Sequence, residues 1–165
     1  MTSRTAWTAG NGVGFTLTTA INGSDLASLA NGSTVLSSVA DIPNQTNLDI
    51  YADLSVRMTV GSATPPTGAY FAVYLCALLD DGTTYGDGEL TSGATIARAL
   101  PFAPVGTVLL QSAVATTVLA GLIQGVVLPP ASFRFAFFNS SGAALSATAG
   151  NCIVKYRTYN VNLSN

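Results

Sequence analysis

Ionic side chains are scarce in this sequence. Its 165 residues include six Lys or Arg, eight Asp or Glu and no His, so that 8% are charged, whereas an average soluble domain carries about 25%. Binding of nucleic acid through charge is therefore not expected, because so few basic side chains displace few counterions from phosphate groups. Without His, the Ser-His and Cys-His catalytic arrangements are excluded as well.

The low charge also bears on the surface of the protein. Small soluble proteins normally stay dispersed through their charge. Either the surface is coated with neutral Ser, Thr, Asn and Gly, or much of it is covered by partner subunits, since interface cores are depleted in Lys and Glu. The sequence favours burial in an assembly.

Metal-binding and targeting patterns are missing too. Cys76 and Cys152 have no CxxC spacing and no His partner, which argues against zinc. We expect two buried free thiols, with a disulfide between paired strands as the alternative. Residues 1–14 lack the apolar run of a signal peptide. Residues 105–128 are uncharged and long enough to span a bilayer, but their Gln, Thr and Gly content predicts β-strands, and no membrane association is expected.

Alternation of apolar and polar residues is the strongest structural signal. Residues 48–60 alternate cleanly, which predicts a half-buried strand. Residues 69–79 are apolar on both faces, so this strand is expected to lie between two layers or under another subunit. Further strands are predicted at 94–100, 107–113, 116–128, 132–139 and 151–160, with the 116–128 strand interrupted at Gly121 or Gly125.

These segments predict an all-β fold, an antiparallel β-sandwich of about eight strands that is jelly-roll-like. Residues 1–45 are rich in Gly, Asn, Thr and Ser and are expected to form an extended N-terminal arm with short strand or turn pieces. Residues 46–165 are expected to form the sandwich. We hypothesise that the arm reaches a neighbouring subunit and becomes ordered on binding.

Two groups of carboxylates are candidates for chemistry. Asp80, Asp81, Asp87 and Glu89 lie among glycines, but their spacing does not fit the EF-hand template, so a solvated loop is favoured over a calcium site. Asp49 and Asp53 share one face of the 48–60 strand. A pair of carboxylates can hydrolyse glycosides, yet ion pairing with Arg on the same face or across strands explains them better.

Aromatic and Arg side chains are candidates for binding. Arg57, Arg134 and Arg157 would form a small basic row, suited to an acidic protein partner, if their strands share a sheet. Ordinary surface charge is the simpler interpretation of the three. The six Tyr and Trp7 could form a platform for stacking sugars or anchors of a protein interface. The residues predicted to contact other subunits are Tyr70, Phe71, Tyr74, Arg57, Arg134, Tyr156, Arg157 and Tyr159.

The order of several short motifs from about residue 45 to 160 resembles small virion proteins of tailed bacteriophages, of the head decoration or cement type. The motifs are LDIYADL (48–54), PPTGAY (65–70), DGTTYGDG (81–88), LPPASFRF (128–135) leading to NSSG (139–142), and VKYRTYN (154–160).

This resemblance implies a jelly-roll-like protein on the outside of a phage head, made in the cytoplasm of the host bacterium. It implies a homotrimer that clamps neighbouring major capsid subunits, with no enzymatic activity, cofactor or metal. A carbohydrate- or receptor-binding module of a phage tail or fibre is the alternative, and a hydrolase is a third hypothesis.

Overall fold

The computed structural model describes residues 4–11, 14–61, 63–79, 82–86, 91–111 and 116–164. Most of the regular structure in these residues is β-strand. The strands are β1 (Arg4–Ala9), β2 (Thr18–Ile21), β3 (Ser33–Leu36), β4 (Ile42–Pro43), β5 (Tyr51–Thr59), β6 (Tyr70–Ala77), β7 (Thr95–Ile96), β8 (Gly106–Leu109), β9 (Val118–Val127), β10 (Ser132–Ser140) and β11 (Ile153–Ser164). The helices are α1 (Gly23–Leu26), α2 (Asn44–Asn47) and a 3-10 helix, η1 (Ala149–Asn151).

The strands form two antiparallel sheets, which confirms the predicted β-sandwich. Sheet A has the order β1-β11-β5-β9, and β2 also pairs with β11. Sheet B has the order β7-β3-β10-β6-β8, and β4 also pairs with β10. The described residues contain eleven strands where the sequence predicts about eight, because strands of two to four residues are too short to show a period of two.

The main core lies between the two sheets. Phe133, Phe135 and Phe137 alternate along β10 and are all fully buried. Phe135 contacts Tyr156 of sheet A, with the ring centroids 5.9 Å apart. Burying an aromatic or aliphatic side chain of this size contributes about 1.5–3 kcal/mol. The apolar face of each strand therefore turns towards the core, as the predicted alternation requires.

Strand β6 has a second buried face, as its sequence predicts, but the chain itself covers it. Tyr74 and Cys76 point away from the main core and pack with Tyr85 and Leu100 in a separate apolar cluster. Phe102 closes the cluster with its ring edge against Tyr74, 5.6 Å between centroids. The face that could have indicated a covering subunit is therefore covered by the chain itself, with residues from 82–86 and 94–102.

The first 45 residues are part of both sheets, which differs from the predicted division into an arm and a sandwich. β1 pairs with β11 along its length, from Arg4 opposite Ser164 to Ala9 opposite Tyr159. β3 pairs with β10 and β7 in sheet B. Ile21, from this stretch, is fully buried in the main core. The Gly- and Thr-rich composition hides these strands because each is short.

The uncharged segment predicted as strands contains β8 and β9. Strand β9 runs through both Gly121 and Gly125 without interruption, but it bulges at the second. Gln124 and Gly125 together lie opposite Asp53 of β5, and Gly125 has φ +68°. In the part of the chain that the structure describes, no helix is long and apolar enough to cross a membrane.

Candidate binding surfaces

Several residues predicted to contact other subunits lie in the interior. Phe71, Tyr74 and Tyr156 are 1%, 4% and 6% exposed, so they offer a partner almost no surface. Burial is the main cause that raises the pKa of both Tyr74 and Tyr156. Tyr70 is partly exposed and packs against Phe138. At these three positions the aromatic rings hold the fold together instead. Tyr159, which was also predicted to contact other subunits, is likewise only 6% exposed and packs against Trp7.

The three Arg side chains do not form one basic row, because their strands belong to different sheets. Arg57 and Arg157 lie on the outer face of sheet A, on β5 and β11. Arg134 lies on β10 in sheet B. Arg57 is exposed and donates a hydrogen bond of 2.9 Å to the Gly150 carbonyl oxygen, whereas Arg157 and Arg134 each pair with a carboxylate.

Arg134 forms the centre of a polar cluster under the 82–86 segment. Its Nε donates to Asp41 Oδ1, and its Nη1 donates to the Ser37 carbonyl oxygen at 3.1 Å. Tyr85 donates its hydroxyl to the same Asp41 oxygen at 2.6 Å, and the guanidinium lies 5.4 Å from the Tyr85 ring centroid. Burial, and then the hydrogen bond to Asp41, raise the pKa of Tyr85 to about 12. These contacts tie a loop to the sandwich rather than present Arg134 to a partner.

An apolar, uncharged edge is the first candidate binding surface. Residues 99–133 include no charged side chain, and β8 and β9 from this segment are the last strands of their sheets on the same side of the sandwich. Leu109, Val118, Leu122 and Val127 are 75%, 56%, 54% and 68% exposed. We call these two strands with their exposed side chains the β8–β9 edge.

The two strands of this edge face each other without pairing. Val108 packs against Gly121, and Ile123 packs against Gly106, where any larger side chain would collide. Each strand pairs only with its inner neighbour among the described residues, β8 with β6 and β9 with β5. A groove of about 330 Å³ runs between them, from Val108–Gln111 to Val118–Ala120. Unpaired strand backbone with apolar flanks and no charge is a template for contact with another chain.

An aromatic cleft on the outer face of sheet A is the second candidate. Trp7 and Phe15 form one wall and are 66% and 50% exposed. The Tyr159 ring lies below, 4.8 Å from the Trp7 centroid in an edge-to-face arrangement, and it stacks on Tyr51 at 5.6 Å. The open cleft measures about 570 Å³. We call it the sheet A cleft.

The floor of the sheet A cleft is a buried ion pair. Asp53 is 5% exposed, and its Oδ2 accepts hydrogen bonds from Arg157 Nε at 3.1 Å and Nη2 at 2.9 Å. Its Oδ1 accepts from the Gly125 backbone at 3.1 Å and from the Tyr159 hydroxyl at 3.3 Å. Burial, and then the Asp53 carboxylate, raise the pKa of Tyr159. The predicted cross-strand ion pairing is confirmed for Asp53.

The bulge in β9 shapes this floor. Ile123 and Val126 both point into the core although they are three positions apart, because the extra residue restores the alternation. The left-handed conformation at Gly125 is open to Gly at no steric cost and aims its N–H at Asp53. The same extra residue leaves Gln124 exposed at the opposite wall of the cleft.

Of the carboxylate candidates, the structure describes Asp49 and Asp53. Asp49 is buried and accepts hydrogen bonds from the Asn11 backbone at 2.6 Å and Asn160 Nδ2 at 3.3 Å. Asp80, Asp81, Asp87 and Glu89 lie outside the described residues. Within the described ranges, no three His, Cys, Asp or Glu side chains group as metal ligands. Cys76 and Cys152 are both buried and neither is part of a disulfide, as predicted.

Sequence reasoning named Trp7 and Tyr159 as aromatic candidates, but it missed Phe15, Gln124 and the exposed side chains of the β8–β9 edge. The uncharged run 99–133 is the signal that could have located that edge. Comparisons of the chain with known protein families, with curated proteins and with solved structures find no match.

Proposed function

We propose that this chain is a structural virion protein that binds the outer surface of a phage capsid and cements neighbouring major capsid subunits. The observation that carries the proposal is the β8–β9 edge. Natural sandwiches protect their edge strands with Lys, Pro or a covering segment. Here four large apolar side chains are exposed on two edge strands that carry no charged residue of their own, and depletion of charge is typical of an interface core.

The topology supports a jelly roll for this protein. Sheet A joins β1, β11, β5 and β9, and sheet B joins β3, β10, β6 and β8. Each sheet therefore alternates strands from the two halves of the chain, which is the order that two interleaved Greek keys produce. β2 pairs with β11 as β1 does, and β4 pairs with β10 as β3 does, so each extends one of these strands. β7 is an additional strand at the edge of sheet B.

Cementing follows from repetition of a modest contact. A subunit that adds one edge strand to a neighbouring chain gains backbone hydrogen bonds and buries its apolar side chains. In a homotrimer, three such edges would contact the capsid together, and the shell repeats the arrangement at each symmetry axis. Linked contacts of this kind exceed the affinity of a single one by orders of magnitude.

Cryo-electron microscopy of purified virions of the phage that encodes the chain tests this location. We expect hundreds of copies on the head exterior, arranged as trimers. A handful of copies at the tail would instead support the receptor-binding alternative, and absence from the particle would refute both.

Variants then test the edge itself. Val118→Lys with Leu122→Lys places two charges where the proposal requires an apolar contact, and we expect occupancy of the shell to fall at least tenfold. Thr64→Lys is the control, because Thr64 is exposed in the loop between β5 and β6. Equal occupancy of edge and control variants would refute the role of the edge, whatever the location of the protein.

A further inference from the structure

We propose that the sheet A cleft binds a neutral saccharide. The site does not depend on the capsid proposal, because most of its lining comes from outside β8 and β9, and β9 contributes only Gln124 and Gly125. Its aromatic wall, its polar floor and its size each restrict the ligand.

The aromatic wall selects a ligand with a flat apolar face. Trp7 is the only Trp in the chain, and it stands 66% exposed beside a half-exposed Phe15. Exposing a ring of this size to water is unfavourable, and the indole keeps this exposure although it packs edge-to-face with Tyr159. The C–H face of a pyranose ring is apolar and flat, and it packs on an aromatic face of this kind.

The polar floor selects a ligand that is neutral and rich in hydroxyl groups. Asp53 and Arg157 compensate each other's charge within hydrogen-bonding distance, so neither a cation nor an anion gains an unpaired partner there. Arg157 lines the cleft with 39% of its side chain exposed, and its Nη1 group takes no part in the hydrogen bonds to Asp53. Gln124, on the opposite wall, offers a carbonyl acceptor and an amide donor. Hydroxyl groups, which donate and accept, match this set.

The size of the cleft agrees with a short oligosaccharide. Its volume of about 570 Å³ lies within the range of roughly 300–1,000 Å³ of small-molecule sites. The floor is also preorganised, since Asp53 receives four hydrogen bonds from three residues before any ligand arrives. A preorganised site loses little conformational entropy on binding.

A glycan array probed with the fluorescently labelled full chain tests the proposal, followed by calorimetric titration with the best neutral oligosaccharide on the array. We expect binding of at least one neutral glycan. Trp7→Ala and Phe15→Ala should each weaken the binding tenfold or more. Leu109→Ala is the control, since it removes an exposed apolar side chain from β8, in the other sheet, and it should leave the affinity unchanged.

Three results would overturn the proposal. One is the absence of any glycan bound by the folded wild-type chain. Another is binding that is confined to sialylated or sulfated glycans, which would make Arg157 an anion site. The third is a Trp7 fluorescence shift that follows protein concentration and not glycan, because a second copy of the chain would then cover the cleft. Gln124→Ala, which leaves the aromatic wall intact, provides a second variant if Trp7→Ala is unstable, and we expect it to weaken binding several-fold.

Discussion

The buried ion pair at the floor of the sheet A cleft makes the sharpest stability prediction. Arg157→Met keeps most of the aliphatic side chain and removes both hydrogen bonds to Asp53 Oδ2. Asp53, with 7% of its side chain exposed, would keep only the Gly125 and Tyr159 donors. Breaking a fully buried pair costs about 3–5 kcal/mol, and an exposed pair contributes about 0–1 kcal/mol.

Arg157 lies between these limits, because its side chain is 39% exposed and water screens part of the charge. We therefore expect Arg157→Met to lower the free energy of unfolding by about 2 kcal/mol. For a domain of this size that corresponds to a decrease in Tm of about 4–8 °C. Urea unfolding followed by circular dichroism measures the free energy directly.

Arg57→Met is the matched control for this measurement. It removes the same charge from the same face of sheet A, but Arg57 is exposed and donates to one backbone carbonyl, so we expect a loss of about 0.5 kcal/mol or less. The double variant with Asp53→Asn should cost less than the sum of Arg157→Met and Asp53→Asn, by about 1 kcal/mol. Equal destabilisation by the two Arg variants, or strict additivity in the double variant, would refute the reasoning.

Three further outcomes follow from the packing. Gly23→Ala would drive a methyl group into the backbone of η1 and should cost at least about 2 kcal/mol, whereas Gly150→Ala, with open space around it, should be close to neutral in urea unfolding. Cys76 and Cys152 should resist a thiol reagent until denaturant is added, because both are buried and burial raises the pKa of Cys152. Rapid labelling of the native chain would contradict the buried placement of the two thiols. The pKa of Tyr85 rises to about 12 in the folded state, so the folded chain binds this proton more tightly than the unfolded chain does. Stability should therefore be unaffected below pH 10 and fall between about pH 10 and 12. Tyr85→Phe should flatten that decline, and an unchanged slope in the variant would contradict this assignment.

The sequence predicts the strands whose alternation is long enough to read. β5 and β10 have nine residues each. Apolar and polar residues alternate along β5, and β10 carries a nearly unbroken apolar run. The bounds of both strands lie within a few residues of the predicted ones. Leu48 and Ile50 were expected to point inward with the rest of β5, yet they are 61% and 46% exposed. They precede the strand, where Leu48 adopts a left-handed conformation after α2, so the alternation continues past the end of the sheet.

What the sequence does not predict depends on contacts between distant residues. Asp53 and Arg157 are 104 positions apart and meet only because β5 and β11 pair in one register. The cover over Tyr74 comes from irregular segments that have no period. Gly125 is recognisable as a break in a strand, but its use as a donor to Asp53 requires the bulge. The cleft thus depends on the register in which β5 pairs with β11 and β9. No local sequence pattern predicts that register.

The interleaving of the strands sets how this chain must fold. β3 depends on β10 for its main partner, and β1 and β2 depend on β11. The opening strands therefore lack their main partners until the closing strands are available. Contacts between such distant segments carry a high loop-closure entropy and slow the search for the native state. On the ribosome, the nascent chain would leave the tunnel with its early strand edges unpaired, and it would reach the folded state only after residues 153–164 emerge.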